Sequence, residues 1–368
     1  MRIALLTIHR APNCGAMLQA LALKTALERL GHEVEFPDCN HIDFRGRERP
    51  YETDPRLPPF KRLRHRLTNY FRNRRGKAIF RQAMNRFDRF RERHLPVREI
   101  LPEAFGDRYD RVIVGSDQLW NERIMGADMS LFLGERIRPD VPVMSYATSF
   151  GDEPPSGRAA ERVCMALKRF SALGVREESG AALLAAAGLS PAVTPDPTLL
   201  MTAADYHPLS ASVHPADRYL YVYSLFFDRW LWRTANEIAG RRGLAVVYTP
   251  LSQYTDFRMP KGLVYGVSPD RFLDYLEHAD CVLTDSYHGS VFSAIFGRPF
   301  ASLCRARDPA QSRHGEFLRL ISAERQLFAM GADVGAIDAV LSDSVNYSDR
   351  LADIRAKGLA WLEKGIGA

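Results

Sequence analysis

Short apolar runs in this sequence end repeatedly at a polar corner, and most of those corners open a helical pattern. Six recur: Asn13-Cys14-Gly15, Gly115-Ser116-Asp117-Gln118, Ser145 through Ser149, Arg176-Glu177, Asp196, and Asp285-Ser286-Tyr287-His288-Gly289-Ser290. A short apolar run bounded by turn residues reads as a buried strand. A strand that passes through a corner into a helix and on to another strand is a βαβ unit, which demands a parallel sheet covered by helices. The opening shows the unit in full. Ile3–Ile8 is a strand, and Asn13 and Gly15 lie in the loop after it. Met17, Leu18, Leu21, Ala22, Leu27 and Leu30 recur at helical spacing, Gly31 ends the helix, and Val34–Phe36 is the next strand. In a doubly wound sheet the carboxyl ends of the strands share one edge, so most of the corners are expected to converge there. Ordinary helix capping explains one such corner; six in one chain are harder to explain that way.

The same grammar divides the chain. Strands are expected at Arg111–Val114, Val141–Ala147 and Leu173–Val175, with helices over about 157–170 and through an alanine-rich stretch closed by Gly188. Residues 202–217 hold Pro208 and Pro215 and few apolar runs, which places a boundary there. A second set follows, with strands Tyr219–Leu225, Leu244–Tyr248 and Cys281–Thr284 and helices Trp230–Gly240, Pro269–His278 and 289–296. The expected fold class is α/β, with two Rossmann-like domains facing across a cleft. The first, 1–205, carries a basic helical insertion at about 45–98. The second, 206–345, carries the His288 corner. Residues 346–368 make a terminal helix able to pack back on the first domain.

Length and composition agree with this division. A chain of 368 residues accommodates two ordinary domains, and 46% apolar with 26% charged residues excludes a disordered chain. No apolar run approaches the ~20 residues of a membrane span, and Ile3–Ile8 is too short for a signal-peptide core. A cytoplasmic location is expected. The five cysteines are odd in number, widely spaced and without a Cys-x-x-Cys pair, which argues against a disulfide framework or zinc knuckle. Cys14 reads more simply as a small buried hydrophobe than as a reactive thiol. No His/Asp/Glu group has metal-ligand spacing, so no metal is expected.

The charge is concentrated. Between Lys61 and Arg98 there are 14 Lys/Arg against Asp88 and Glu92, a net +12 in a protein whose total is +6. Phe60, Leu63, Leu67 and Tyr70 align on one helical face, and Phe80, Met84, Phe87 and Phe90 on another. Residues 60–95 therefore read as basic helices, and three readings stand. They could be a solvated charged face whose aromatics pack into the first domain, a surface that docks on an anionic membrane at its inner face, or a contact for an acidic partner or polymer. Nucleic acid is not an expected partner, because no recognition motif accompanies the charge.

His288 sits where Cys281–Thr284 gives way to a helix stopped by Gly297 and Pro299. A helix start binds anions, and its dipole disfavours an imidazolium, so His288 is expected to be neutral near pH 7. A neutral imidazole beside an anion pocket suits a general base acting on a phosphorylated substrate. The ordinary alternative for such a histidine is a helix cap or a satisfied surface group. Arg176, between a strand and two glutamates, can fork onto a phosphate or carboxylate; its ordinary alternative is a salt bridge to Glu177 or Glu178.

At these positions the chain resembles the polysaccharide pyruvyl transferases. The resemblance rests on Asn13-x-Gly-x-x-Leu-Gln-Ala (13–20), Val-Gly-Ser-Asp-Gln-x-Trp-Asn (114–121), Ser-Tyr-Ala-x-Ser-Phe-Gly (145–151), Val-Arg-Glu (175–177), Asp-Pro-Thr-Leu-Leu (196–200) and Thr-Asp-Ser-Tyr-His-Gly-Ser (284–290). Ser312-Arg313 before Phe317-Leu318 also fits. The likeness runs in order from about residue 3 to about 320 and omits the basic segment.

The resemblance implies a glycosyltransferase-B-like fold. It also implies transfer of pyruvate from phosphoenolpyruvate, as donor substrate and without a cofactor, to two hydroxyls of a saccharide acceptor, free or lipid-linked. His288 and Arg176 would be the catalytic pair. Substrate binding is assigned to Asn13, Gly15, Gln19, Ser116, Asp117, Gln118, Ser145, Ser149, Asp196, Asp285, Ser286, Tyr287, Gly289, Ser290 and Arg313. Among these, Asp117 and Asp285 would orient acceptor hydroxyls or His288, and the N–H groups of Gly289 and Ser290 would hold phosphate. The competing readings are a nucleotide-sugar-dependent glycosyltransferase of the same fold and a catalytically silent glycan-binding protein.

Overall fold

In the computed structural model, residues 1–38, 58–215, 217–251, 260, 262–343 and 346–367 are described. Twelve strands among them form two sheets. The first holds β1 (Arg2–Leu6), β2 (Glu33–Pro37), β3 (Val97–Arg98), β4 (Arg111–Val114), β5 (Val143–Thr148), β6 (Leu173–Val175) and β7 (Pro191–Val193). The second holds β8 (Tyr219–Ser224), β9 (Ala245–Pro250), β10 (Cys281–Thr284), β11 (Phe300–Cys304) and β12 (Leu327–Ala329). Their orders are β3-β2-β1-β4-β5-β6-β7 and β12-β11-β10-β8-β9, and every pairing is parallel. Strands β4, β5, β10 and β11 are buried along their whole length. This is why Val112–Val114 and Cys281–Leu283 read as unbroken apolar runs rather than as alternating ones.

Each sheet has one place where successive strands leave in opposite directions: between β1 and β4 in the first, and between β8 and β10 in the second. Ligand crevices open at such points, beyond the carboxyl ends of the strands. The corner after β1 carries Asn13–Gly15, the corner after β4 carries Ser116 and Asp117, and the corner after β10 carries Asp285–Ser290. The two expected Rossmann-like units are thus present, with the polar corners on the facing edges.

Several boundaries differ from expectation. Residues 60–95 form one helix, Pro59–His94, of 36 residues rather than several; neither Gly76 nor any proline interrupts it. Residues 39–57, including the start of the expected insertion, lie outside the described set. The helix after β10 begins at Tyr287, not 289, because Ser286 caps it by accepting from the Gly289 N–H; His288 is therefore inside the first turn. The terminal helix, Ser348–Ile366, does return to the first sheet. Arg111 donates to the Gly365 carbonyl at 3.2 Å, and Trp361 packs on Tyr146 with ring centroids 5.8 Å apart. One apolar cluster runs from Ile3 and Met17 through Tyr223 and Phe292 to Leu362 and Ile366, so the two sheets share a core.

Candidate active site

Asp196 is the centre of the site. It follows β7, where Pro195 and Pro197 leave the chain little freedom, and its side chain is fully buried. Its Oδ1 accepts from the N–H and hydroxyl of Thr198, at 3.0 and 2.7 Å. Its Oδ2 accepts from Arg176 Nη1 at 3.0 Å and from the Ser116 hydroxyl at 3.4 Å, and lies 3.4 Å from His288 Nε2. Burial alone would raise its pKa, but the charges of His288 and Arg176 and the Thr198 N–H hold the carboxyl well below the usual range. Corners after β4, β6, β7 and β10 therefore meet on one carboxylate.

The corner after β1 joins them by shape. A methyl group on Gly15 would lie 2.0 Å from His288 Nδ1, so the imidazole occupies the space that a side chain there would need. Cys14 donates to the Val267 carbonyl at 3.3 Å. Its thiol is buried and its pKa is pushed up by that burial, which makes it a packing group and not a nucleophile. The imidazole of His288 thus lies between the two domains, against Gly15 on one edge and with the Asp196 carboxylate 3.4 Å from Nε2, which makes no hydrogen bond.

Arg176 forms the salt bridge to Glu177 that is its ordinary role, at 3.0 Å, in addition to the bridge to Asp196. Its Nη2 is buried without a hydrogen-bond partner, and its guanidinium lies 4.8 Å from the centre of the Tyr287 ring. The Arg313 guanidinium lies 5.9 Å from the centre of the same ring. Both arginines, Asp196 and Tyr287 line a cleft of about 770 Å³, together with Glu177, Glu316 and Arg319. The phenol of Tyr287 stays protonated, its pKa raised by burial and by the charge of Asp196. Two residues beside the backbone at this edge are in unusual conformations for non-glycines: Asp117 at φ 80° and Ala147 at φ 49°. Such strain persists only where the surroundings enforce it.

The remaining site candidates divide. Asn13 caps the first helix by accepting from the Ala16 N–H. Gln19 is fully buried and donates to Thr7 and to the Ala16 carbonyl, and so braces the corner from beneath. Ser149 donates to Glu177 at 2.5 Å and thereby fixes the partner of Arg176. Gln118 accepts from Asn121 and Asp117 from the Gln118 N–H. Ser145 lies inside β5 and bonds to Gly174, away from the cleft.

Several expected roles fail on geometry. Asp285 does not face His288: its Oδ1 accepts from the Leu225 N–H at 2.7 Å and its Oδ2 from Arg305 at 3.2 Å. The N–H of Gly289 is taken by Ser286 Oγ and that of Ser290 by the Ser286 carbonyl, so neither is left to hold phosphate. The hydroxyl of Ser290 is turned into the fold, 2.8 Å from Ser302.

Sequence reading missed His314 and Glu316. His314 is buried, with Nε2 unpartnered, and its pKa is held down at about 3 by burial and by Arg313. Glu316 accepts from the Glu178 N–H at 3.3 Å, across the two domains. Its pKa is pushed up to about 7 by burial, with the charges of Glu177 and Glu178 adding to this. Among the described residues one group could hold a metal ion: His214, Asp274 and His278, with ligand atoms within 4.8 Å of one another. The sequence separation of 60 between His214 and Asp274 hides it from any reading of spacing. The two imidazoles stack at 3.7 Å, and Asp274 also accepts from the N–H groups of Val213 and His214. Rings stacked in parallel cannot both direct a nitrogen lone pair at one ion, so the group reads as a structural tie.

No curated protein matches this sequence. Among solved structures, the chain resembles a putative UDP-N-acetylglucosamine 2-epimerase from Listeria monocytogenes (12% identity, 98% of this chain and 94% of that one, TM-score 0.53). It also resembles the UDP-GlcNAc 2-epimerases of Methanocaldococcus jannaschii (11%, 97% and 99%, TM-score 0.51) and Neisseria meningitidis (11%, 100% and 99%, TM-score 0.50). At such identities the likeness speaks for the fold alone, which is glycosyltransferase-B-like, as expected. The sequence model described as "Polysaccharide pyruvyl transferase" matches residues 13–303, a span that begins at the cap of the first helix, includes every corner that meets at Asp196, and ends in β11. By that match the chain belongs to the polysaccharide pyruvyl transferase family.

Proposed function

We propose that the protein transfers pyruvate from phosphoenolpyruvate to two hydroxyls of a sugar, in a cell-surface polysaccharide or its precursor, and closes a cyclic ketal. The observation that carries this reading is the buried Arg176, with one guanidinium nitrogen unpartnered, beside the His288–Asp196 pair. The donor bears a phosphate and a carboxylate, and a planar guanidinium recognises either. Arg313, also near the Tyr287 ring, supplies a second cation.

The reaction needs two proton movements. One sugar hydroxyl adds to C2 of the donor while the C3 methylene takes up a proton. The bond from C2 to the phosphate oxygen then breaks as the second hydroxyl closes on C2. One hydroxyl proton ends on C3 and the other on phosphate, so the products are the ketal and inorganic phosphate. In this reading His288 carries the proton transfer and Asp196 holds its ring, while Arg176 and Arg313 stabilise the charge that develops on the departing phosphate. The acceptor enters from the first domain, against the Ser116–Gln118 corner.

Phosphate release from phosphoenolpyruvate in the presence of saccharide acceptors tests the proposal. His288→Ala should lower the rate by about 100-fold or more. A correctly folded His288→Ala protein with near-normal turnover overturns the role of the histidine. Stabilisation by nucleotide sugars and not by phosphoenolpyruvate, in a thermal-shift comparison, overturns the donor.

A further inference from the structure

The 36-residue helix Pro59–His94 spans about 54 Å, and its two halves are built differently. In the second half Ala83, Met84, Phe87 and Phe90 are buried in the body of the protein. Arg86 bonds to the Gly266 carbonyl at 2.8 Å. Here the aromatics pack inward, as one of the sequence readings expects. The first half does the opposite. Phe60 is 81% exposed, Leu63 58%, Leu67 55% and Tyr70 59%. These account for four of the ten large apolar side chains exposed among the described residues. Their spacing puts them on one stripe, while Asn69, on the face they leave, is buried.

Charge identifies the occupant. From Pro59 to Lys77 the helix carries eight Lys/Arg and no acidic residue, and the first acid after it is Asp88. A second copy of this chain would set eight cations against eight. A water-soluble acidic polymer would satisfy the cations and leave Phe60 and the leucines in water. A stripe of Phe and Leu flanked by Lys and Arg, on a helix whose other end is anchored, is the pattern of a helix that lies in the headgroup boundary of an anionic bilayer. We infer that the first half of this helix docks the protein on an anionic membrane surface, with Phe60, Leu63 and Leu67 inserted and the cations at headgroup level. No helix among the described residues is long and apolar enough to cross a membrane, so the attachment is peripheral. The inference does not depend on what the active site transfers.

Flotation with phosphatidylcholine vesicles, with and without 30% phosphatidylglycerol, tests it. The protein should float with the anionic vesicles at low salt and not with the neutral ones. Replacing Lys61, Arg64 and Arg66 by Gln should weaken binding by about 100-fold. Phe60→Ser with Leu67→Ser should also release the protein while its circular dichroism and melting temperature stay unchanged. Failure to float at low salt overturns the inference, as does undiminished flotation of the Phe60/Leu67 variant. So does a dimer, seen by light scattering, that the same variant dissolves.

Discussion

At Gly15 an added methyl would lie 2.0 Å from His288 Nδ1, 2.3 Å from its Cγ and 2.8 Å from its Cβ. Gly15→Ala should therefore displace the imidazole by about 1 Å or more. A displacement of that size lowers turnover by about 100-fold, to be measured as phosphate release, with little change in donor affinity. Asp196→Asn leaves Arg176 and His288 without their shared carboxylate. Breaking a buried pair costs about 3–5 kcal/mol, which denaturant unfolding at pH 7 will read. Because the folded pKa of Asp196 is depressed, that contribution is present above about pH 4 and is lost as pH falls through the folded value. Gly15, Arg176, Asp196 and His288 were each legible as polar residues at strand ends. Convergence of such corners along one sheet edge was expected, but their meeting on Asp196 was not, because positions 15, 196 and 288 come together only through two separate sheets. For the same reason the carboxylate facing the histidine turned out to be Asp196 rather than Asp117 or Asp285. His314 and Glu316 follow no apolar run that would mark a strand end; their one signal was their place inside the Ser312–Leu318 stretch that carries part of the resemblance.

The helix Arg313–Leu320 shows what an element adds to its residues. It presents Arg313 and Glu316 to the first domain: the Arg313 N–H meets Asp152 at 3.3 Å, and Glu316 meets the Glu178 N–H. With the Glu316 pKa at about 7, the folded protein holds a proton that the unfolded chain releases near pH 4.5. Stability should accordingly fall as pH rises from about 4.5 to 7 and level off above. Glu316→Gln should remove this slope: its melting temperature should match wild type at pH 5 and equal or exceed it at pH 8. Elements as a class were the most legible part of the chain, since the central strands are long, apolar and buried on both faces. The edge strands β3 and β12 escaped notice. Two or three residues paired on one side carry no periodicity. The long basic helix was read as several because its two halves put their apolar residues on different faces.

The whole molecule is two parallel sheets with a common core, closed by a helix that comes from beyond the second sheet and covers the first. That helix approaches so tightly that a side chain at Gly358 would lie 2.7 Å from Pro195 and 2.8 Å from Leu200. Gly358→Val should cost about 1–3 kcal/mol by overpacking. It should also lower turnover, because Pro195 adjoins Asp196; melting temperature and phosphate release measured together would show the coupling. The two-domain plan and the return of the last helix were both legible from strand grammar and helical spacing. The continuity of the core between the domains was not, since no local pattern reports which apolar faces meet. The returning helix also sets the order of events on the ribosome. The apolar face it covers, with Met144 and Tyr146 of β5, is synthesised about 200 residues before its cover emerges. At 5–20 residues per second that face waits roughly 10–40 seconds. In that interval the half-made chain lacks the cover for this face, and the first domain becomes complete only when Ser348–Ile366 has emerged.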